Sequence, residues 1–494
     1  MDKLAVLQKV DFGQSVAEQE AEKLSSYFVE TSQWNKVFNG DVDIIYGPKG
    51  AGKSAIYSLI EKYEATYFQK QIALRFAENP RGATAFSDLQ TDPPPDERTF
   101  VNMWKLYFLV LLGDHFQDYG TSRVGDEVLN SLKDSALLPD DRRLLAILGK
   151  VRNYISKYIH LQSIEPNASI NEQTGYISKF GLKIAFSEPV EQIAKLGVKS
   201  IDSLLHKANE ELLSSKFTVW FLLDRLDVAF SDNPELEENA LRALFKTYLD
   251  FAVFSNFKLK IFLRSDIWTR ITRTGFREAT HVTKSSIIEW DRSSLLNLVI
   301  RRFLNNESIL VAYSADKEQI LKDIKLQEVL FYKLFPKQVD SGKNPDTFDW
   351  ILGRTQDSFG LSAPRDIINL INGAIDAQIK SLEVGKDETE GQVLFSRGSL
   401  KAGLAQASKE KVEKYLLAEH PELRTYFEAL RGNKSEHSVA SLSRLWQCSE
   451  HEAKTIAGEI ALTGFWTVEK KEDPTYWIQL IYRDGLAIVR GTAD

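Results

Sequence analysis

Sulfur is scarce in this chain, with one cysteine, Cys448, and two methionines in 494 residues. A lone cysteine excludes an intramolecular disulfide and a thiolate-held metal cluster. The seven histidines, at 115, 160, 206, 281, 420, 437 and 451, show no metal-ligand spacing. Long apolar runs are missing as well. A bilayer-spanning helix needs roughly 20 apolar residues, and the nearest stretch, FVNMWKLYFLVLLGDHF, is interrupted by Lys105. Positive charge is not in excess either: the formal net charge of −7 gives no global attraction to nucleic acid or to an anionic membrane. The opening MDKLAVLQKVDFGQSVAEQE lacks a secretory-signal pattern. The expectation is a cytoplasmic protein with no membrane partner.

Against those absences stands an ordinary globular composition, 43% hydrophobic and 27% charged, with room for about two to four domains. One stretch carries chemistry at once. In DIIYGPKGAGKSAIYSLIEKY, residues 43–63, a short β-type apolar run leads into Gly47, Pro48, Lys49, Gly50, Ala51, Gly52, Lys53 and Ser54, and then into a helix-compatible segment. The spacing G-x-x-x-x-G-K-S has a mechanical reason. Glycines let successive backbone N–H groups turn inward around a phosphate at the positive end of the following helix. Lys53 then reaches the β- and γ-phosphates of ATP, and Ser54 supplies a hydroxyl to Mg²⁺. A glycine turn that matches by chance is the alternative, and the flanking strand and helix argue against it.

Mg²⁺ on such a loop needs a carboxylate from another strand. TVWFLLDRLD, 218–227, reads as a buried parallel strand ending in Asp224, the metal candidate. Asp227 sits where the chain leaves that strand, either within reach of an attacking water or as the N-cap of the next helix. KLKIFLRSDIW, 258–268, is the next strand, and Arg264 at its C-terminal end is either a γ-phosphate sensor or a strand-end surface charge. KQIALRF (70–76) and HVTKSSIIEW (281–290) complete a parallel sheet, expected with the Asp224 strand between the loop strand and the Arg264 strand.

About 140 residues separate KQIALRF from TVWFLLD, too many for one crossover. An insertion follows from this, with a Pro-rich loop, a helix around 100–118, a polar helical region to about 164 and a short hairpin in GYISKFGLKIAF (175–186). Helices then dominate: 291–306, a long segment 314–335, and 363–383, whose Pro364-Arg365 start puts an arginine in a first turn. Arg365 there is unfavourable for the helix dipole, so it either faces a phosphate or makes a surface salt bridge.

The chain closes with a helix (408–430), SVASLSRLW, a second helix at 449–464 and two strands, a winged-helix pattern. Residues 411–494 hold 11 Lys and Arg against 13 Asp and Glu, and the helix 449–464 carries Glu450, Glu452 and Glu459 against Lys454. DNA affinity rests on neutralising phosphates, so a protein-contact or autoinhibitory role is favoured over DNA, with Lys470 and Lys471 keeping DNA open.

YGPKGAGKS, FLLDRLD, IFLRSD and SAPRD, in this order, resemble the phosphate loop, Mg²⁺ strand, first sensor and second sensor of the AAA+ and STAND group of P-loop ATPases. More narrowly, the chain is similar to a bacterial P-loop ATPase family over residues 10–385. Asp-Arg stands where AAA+ proteins commonly carry Asp-Glu, and D-x-x-D is closer to STAND and KAP-type members, which implies a slow switch rather than a motor.

The element pattern and the resemblance together predict an α/β P-loop NTPase core with a parallel sheet (an N-terminal segment and first part at 1–76, a second part at 206–290), a mainly helical insertion (77–205) and a helical lid (291–394), and the pattern of elements alone predicts the winged-helix-like domain (395–494). The resemblance implies an ATP-hydrolysing molecular switch with cofactors ATP and Mg²⁺, homo-oligomeric, acting on a separate effector or regulatory protein, in bacterial stress or anti-phage defence. Asp227, Lys53 and Arg264 would be catalytic. Arg270, Arg273, Arg277, Arg301 and Arg302 are the arginines available to a neighbouring subunit's nucleotide. The second expectation is a DNA-binding ATPase resembling replication initiators or loaders.

Overall fold

The computed structural model describes residues 2–16, 20–77, 97–138, 144–164, 182–224, 226, 234–273, 275–469 and 473–493. The chain divides into two compact units. One comprises Ser32–Gly47 and Ile56–Ile287; the other comprises Met1–Thr31, Pro48–Ala55 and Ile288–Asp494.

The first unit is built on a parallel sheet. Its strands are β1 (Ile44–Gly47), β2 (Ile72–Ala77), β3 (Thr218–Leu223), β4 (Phe257–Arg264) and β5 (Ser285–Ile287). Among the described residues they lie in the order β2-β3-β4-β1-β5, every neighbouring pair parallel. All four residues of β1 and five of the six in β3 are buried, the near-continuous apolar run expected of a strand covered on both faces.

The expected lateral order was wrong in one respect. The Arg264 strand β4, not the Asp224 strand β3, lies directly beside the loop strand. Apolar runs mark strands without encoding their neighbours; here a polar pair does so. Lys260 of β4, almost fully buried, donates to Asp43 Oδ1 at 2.8 Å and to the carbonyls of Val42 at 2.7 Å and Gly40 at 3.2 Å. Its ammonium also lies 4.3 Å over the Trp220 ring. Burial lowers the Lys260 pKa, and Asp43 counters part of that. A cation so buried needs these partners, and they exist only where β4 meets the entry to β1.

Helix α1 (Lys53–Lys62) follows the phosphate loop, α2 (Glu97–Tyr119) opens the insertion, and α3 (Pro234–Asp250) joins β3 to β4. The core forms where α2 and α3 meet the sheet. Phe108 of α2, fully buried, lies 5.2 Å from Phe221 and 5.6 Å from Phe251, ring centre to ring centre. The insertion continues through helices Arg123–Asp134, Leu144–Ile164 and Ile201–Ser215. Most of the expected hairpin at 175–186 falls outside the described residues, and its described end, Ile184–Ala185, pairs parallel with Lys199–Ser200, which is not a hairpin.

The second unit is mainly helical. Helix α4 (Arg292–Leu304) and helix α5 (Pro364–Glu383) flank the N-terminal segment and hold it by its backbone. Arg302 donates to the Phe12 carbonyl at 2.7 Å and pairs with Glu20 at 3.1 Å, Asn306 accepts from the Asp11 amide at 2.7 Å, and Asn372 donates to the Gly13 carbonyl at 2.8 Å. The long segment expected at 314–335 is two helices, Lys317–Lys322 and Ile324–Leu334, each begun by an aspartate N-cap.

Helix α6 (Arg397–Glu410) crosses α5 in backbone contact: a Cβ on Gly403 would sit 2.3 Å from the Leu370 carbonyl oxygen, and one on Gly373 would sit 3.0 Å from Gly403 Cα. The helix expected at 408–430 is broken. After α6 the chain makes a π-helical turn, Lys411–Leu416, then short helices Leu417–Glu419 and Arg424–Ala429. Pro421, which lacks an N–H, is one reason the helix cannot run through.

Among the described residues four strands and two longer helices, with a short helix Leu480–Arg483 before the last strand, complete this unit. They are β6 (Lys434–Ser438), α7 (Val439–Trp446), α8 (Glu450–Leu462), β7 (Trp466–Glu469), β8 (Thr475–Ile478) and β9 (Val489–Thr492). Helices α7 and α8 begin with reciprocal capping boxes, Ser438 with Ser441 and Ser449 with Glu452. The sheet order is β9-β6-β8-β7, a winged-helix-like arrangement.

Candidate nucleotide-binding site

The phosphate loop leaves β1 at Gly47, whose Cα is in register with that of Arg264 on β4. Gly50 and Gly52 have φ of +81° and +100°, conformations that strain side-chain-bearing residues. Around Gly52 a Cβ would meet nothing within 4 Å, so the loop is open there. Within the turn the Ala51 amide donates to the Pro48 carbonyl at 3.2 Å, and Trp290 Nε1 donates to the Ala51 carbonyl at 2.8 Å. Lys53 and Ser54 open α1, and Lys53 Nζ folds back to the Pro48 carbonyl at 3.0 Å. Left-handed glycines, open space at Gly52, a lysine and a hydroxyl at a helix start fit a phosphate chain with its Mg²⁺.

Helix α5 begins against this loop. A Cβ on Gly50 would lie 2.9 Å from Arg365 Cβ, so only glycine lets the two backbones approach. Pro364 occupies the first turn of α5, where its missing N–H costs nothing. The Arg365 guanidinium lies 5.2 Å over the Tyr415 ring, and its Nε is 3.4 Å from the Ser15 carbonyl. Among the described residues no carboxylate pairs with Arg365.

Lys49 shares Tyr415, its Nζ lying 4.6 Å over the same ring, and pairs with the Glu419 carboxylate. Tyr415 belongs to the π turn, which Lys411 anchors by a 2.7 Å bond to Asp366, the residue after Arg365. Burial pulls the Lys411 pKa down, but Asp366, Tyr482 and Asp357 around it raise it more, and the net shift is upward. Burial raises Asp357 and pushes Tyr482 up to about 12.

On the sheet, Arg264 closes β4 and is held bidentately by Asp266, at 3.1 Å through Nε and 2.8 Å through Nη2. Asp224 follows directly on β3 and is half-buried. Asp227, Lys470 and Lys471 lie outside the described residues. The structure therefore gathers Gly47 with Arg264 in one unit, and Pro48–Ala55 with Arg365 in the other.

Of the five arginines considered for a neighbouring subunit, Arg302 is buried against Glu20 and Phe12 and is unavailable. Arg270 pairs with Glu237, Arg301 donates to Asn297, and Arg273 and Arg277 are exposed. Trp290, Tyr415 and Glu419 are site neighbours that the motifs did not point to. Trp290 closes a stretch already read as a strand, whereas nothing in the spacing of Tyr415 or Glu419 ties them to a loop more than 360 residues earlier.

These features define a P-loop NTPase fold with a parallel sheet, helical insertion, helical lid and C-terminal winged-helix-like domain. No family model and no curated protein matches the chain. Among solved structures it is similar to the Aeropyrum pernix ORC2 protein in ADPNP–ADP complexes, at 11% identity over 97% of this chain and 96% of that one, TM-score 0.30. It is similar also to the Aeropyrum pernix ORC1 protein in complex with DNA, at 9% identity over 98% and 96%, TM-score 0.35. A third is Cdc6p from Pyrobaculum aerophilum, at 10% identity over 98% and 96%, TM-score 0.29. At that level the likeness assigns no role to any residue here.

Proposed function

We propose that the protein is a Mg²⁺-dependent ATPase that works as a molecular switch. The observation that carries this is the phosphate loop itself, with Gly50 and Gly52 left-handed, Lys53 and Ser54 at the start of α1, and Arg365 packed on the loop at Gly50. Backbone N–H groups of the loop would hold the phosphates, Lys53 and Arg365 would balance the charge on the γ-phosphate, and Ser54 and Asp224 are the residues that would hold Mg²⁺. When bound, Mg²⁺ neutralises charge on the phosphate oxygens. Asp227 orients the attacking water and takes its proton, and Arg264 senses the γ-phosphate from the end of β4.

Self-assembly belongs to the same proposal, with Arg273 and Arg277, both exposed, reaching a neighbour's nucleotide. The switch then acts on a separate effector or regulatory protein. The test is Lys53→Ala in the full chain, followed by ATP titration and phosphate release. Loss of binding and turnover with an unchanged thermal melt is the expected result; retention of both sinks the reading.

One observation favours a second reading, DNA binding by the winged-helix-like part. Trp477 on β8 is 37% exposed and stacks 4.3 Å from the Arg483 guanidinium. Burial lowers the Arg483 pKa, and the charges of Arg354 and Arg490 lower it further. The exposed face of α8, in contrast, presents Glu450, Glu452 and Glu459. Electrophoretic mobility of duplex DNA across a salt series separates the readings, because contacts to several phosphates make affinity fall steeply with salt.

A further inference from the structure

Tyr415 lies under two cations at once, Lys49 at 4.6 Å and Arg365 at 5.2 Å from its ring centre. Glu419, four residues on, pairs with the same Lys49. Lys49 belongs to the loop and Arg365 to the first turn of α5 packed against it, and both partners belong to the segment that follows α6. That segment departs from ordinary helix there. A π turn adds a residue to the turn and is costly enough to be rare, and such turns concentrate at functional sites. Lys411, at the start of the π turn, fixes it to Asp366 beside Arg365. Residues 411–419 therefore meet the loop and the first turn of α5 through three charged or aromatic side chains.

We propose that residues 411–419 form a latch on the phosphate loop, in which Glu419 competes with the phosphates of a nucleoside triphosphate for Lys49. The inference rests on the ATP-binding reading above. A triphosphate brings several negative charges to the loop, and the Glu419 carboxylate beside Lys49 is repelled by them at short range. Phosphate binding takes Lys49 and Arg365 from Glu419 and Tyr415, and the segment leaves the loop. The winged-helix-like part is continuous with that segment, so occupancy of the loop is passed to it. Linkage makes the effect reciprocal: removing the Glu419 charge strengthens triphosphate binding by the factor with which the triphosphate loosens the latch.

The experiment uses the full chain and a slowly hydrolysed ATP analogue, ATPγS, with Mg²⁺. Glu419→Gln is expected to tighten ATPγS binding by about five- to tenfold, within the usual range of coupling between sites. In a Lys49→Gln background the same change should alter affinity less than about twofold, because the cation that Glu419 competes for is gone. Amide exchange across 411–419 in the unaltered protein should accelerate on adding ATPγS. Equal or weaker binding by Glu419→Gln, a full effect persisting without Lys49, or unchanged exchange overturns the latch while the ATP-binding reading stands. A folded wild-type chain that fails to bind ATPγS overturns both.

Discussion

Lys411 donates to Asp366 across 2.7 Å, joining the start of the π turn to the first turn of α5. Asp366 is 4% exposed as a residue and the Lys411 side chain 19%, so the pair is largely withdrawn from water. Its position matters more than its strength. Arg365 precedes Asp366 and Tyr415 follows Lys411 by one helical turn, so the bridge sets the spacing of the two residues that stack beside the phosphate loop.

Breaking one side should therefore cost more than removing both. Lys411→Met leaves Asp366 buried without its cation and is expected to destabilise the protein by about 3–5 kcal/mol. Adding Asp366→Leu replaces the pair with apolar volume and should restore most of that loss. Urea denaturation of the three proteins checks it; a single-variant cost near zero would show the bridge to be solvated and its positioning role small.

The two carboxylates after β3 should separate in kinetics. Asp224→Asn removes a charged metal ligand and is expected to weaken Mg²⁺-dependent ATP binding about tenfold or more. Asp227→Asn is expected to leave binding near normal and to slow hydrolysis by about 10²-fold, the usual worth of a positioned base. Single-turnover hydrolysis together with equilibrium binding tests both. Turnover by Asp227→Asn at the unaltered rate would assign that residue to capping the next helix.

How much of this was legible beforehand differs by residue. Gly47 to Ser54 could be read because the chemistry of a phosphate loop is local, and both its flanking elements lie within a few residues. Asp224 and Arg264 could be placed at strand ends for the same reason. The lateral order of the strands could not, since it depends on Lys260 finding Asp43 and the carbonyls of Gly40 and Val42, more than 200 residues apart in sequence. Tyr415 and Glu419 were hidden twice over. They lie in a stretch that reads as continuous helix, and the π turn that aims them at Lys49 has no periodicity of its own.

Acid sensitivity follows from His115. Burial lowers its pKa, Arg75 beside it lowers it further, and the result is about 3 against an ordinary 6.5. Below pH 6.5 the unfolded chain takes up a proton that the folded chain refuses, so stability is full above that pH and is lost progressively as pH falls towards 3. By linkage this amounts to about 2 kcal/mol at pH 5. Thermal melts between pH 7.5 and 5 should show the loss, and His115→Gln should flatten that part of the profile. A profile identical in the variant would place the acid sensitivity elsewhere.

The last prediction decides between protein contact and DNA. Helix α8 exposes Glu450, Glu452 and Glu459, with Lys454 as its one lysine, and in a major groove those carboxylates would face phosphates without compensating cations. Charge therefore argues against specific readout through α8. The face with Trp477, Arg483 and Arg490 is the remaining route, and it offers few cations for a chain of net charge −7. The full-length protein is expected to show no submicromolar binding to duplex DNA at physiological salt, with or without ATP. Submicromolar, salt-sensitive binding that is lost in Arg483→Ala with Arg490→Ala, while Glu450→Gln leaves it intact, would transfer the function to DNA and assign recognition to the β8–β9 face.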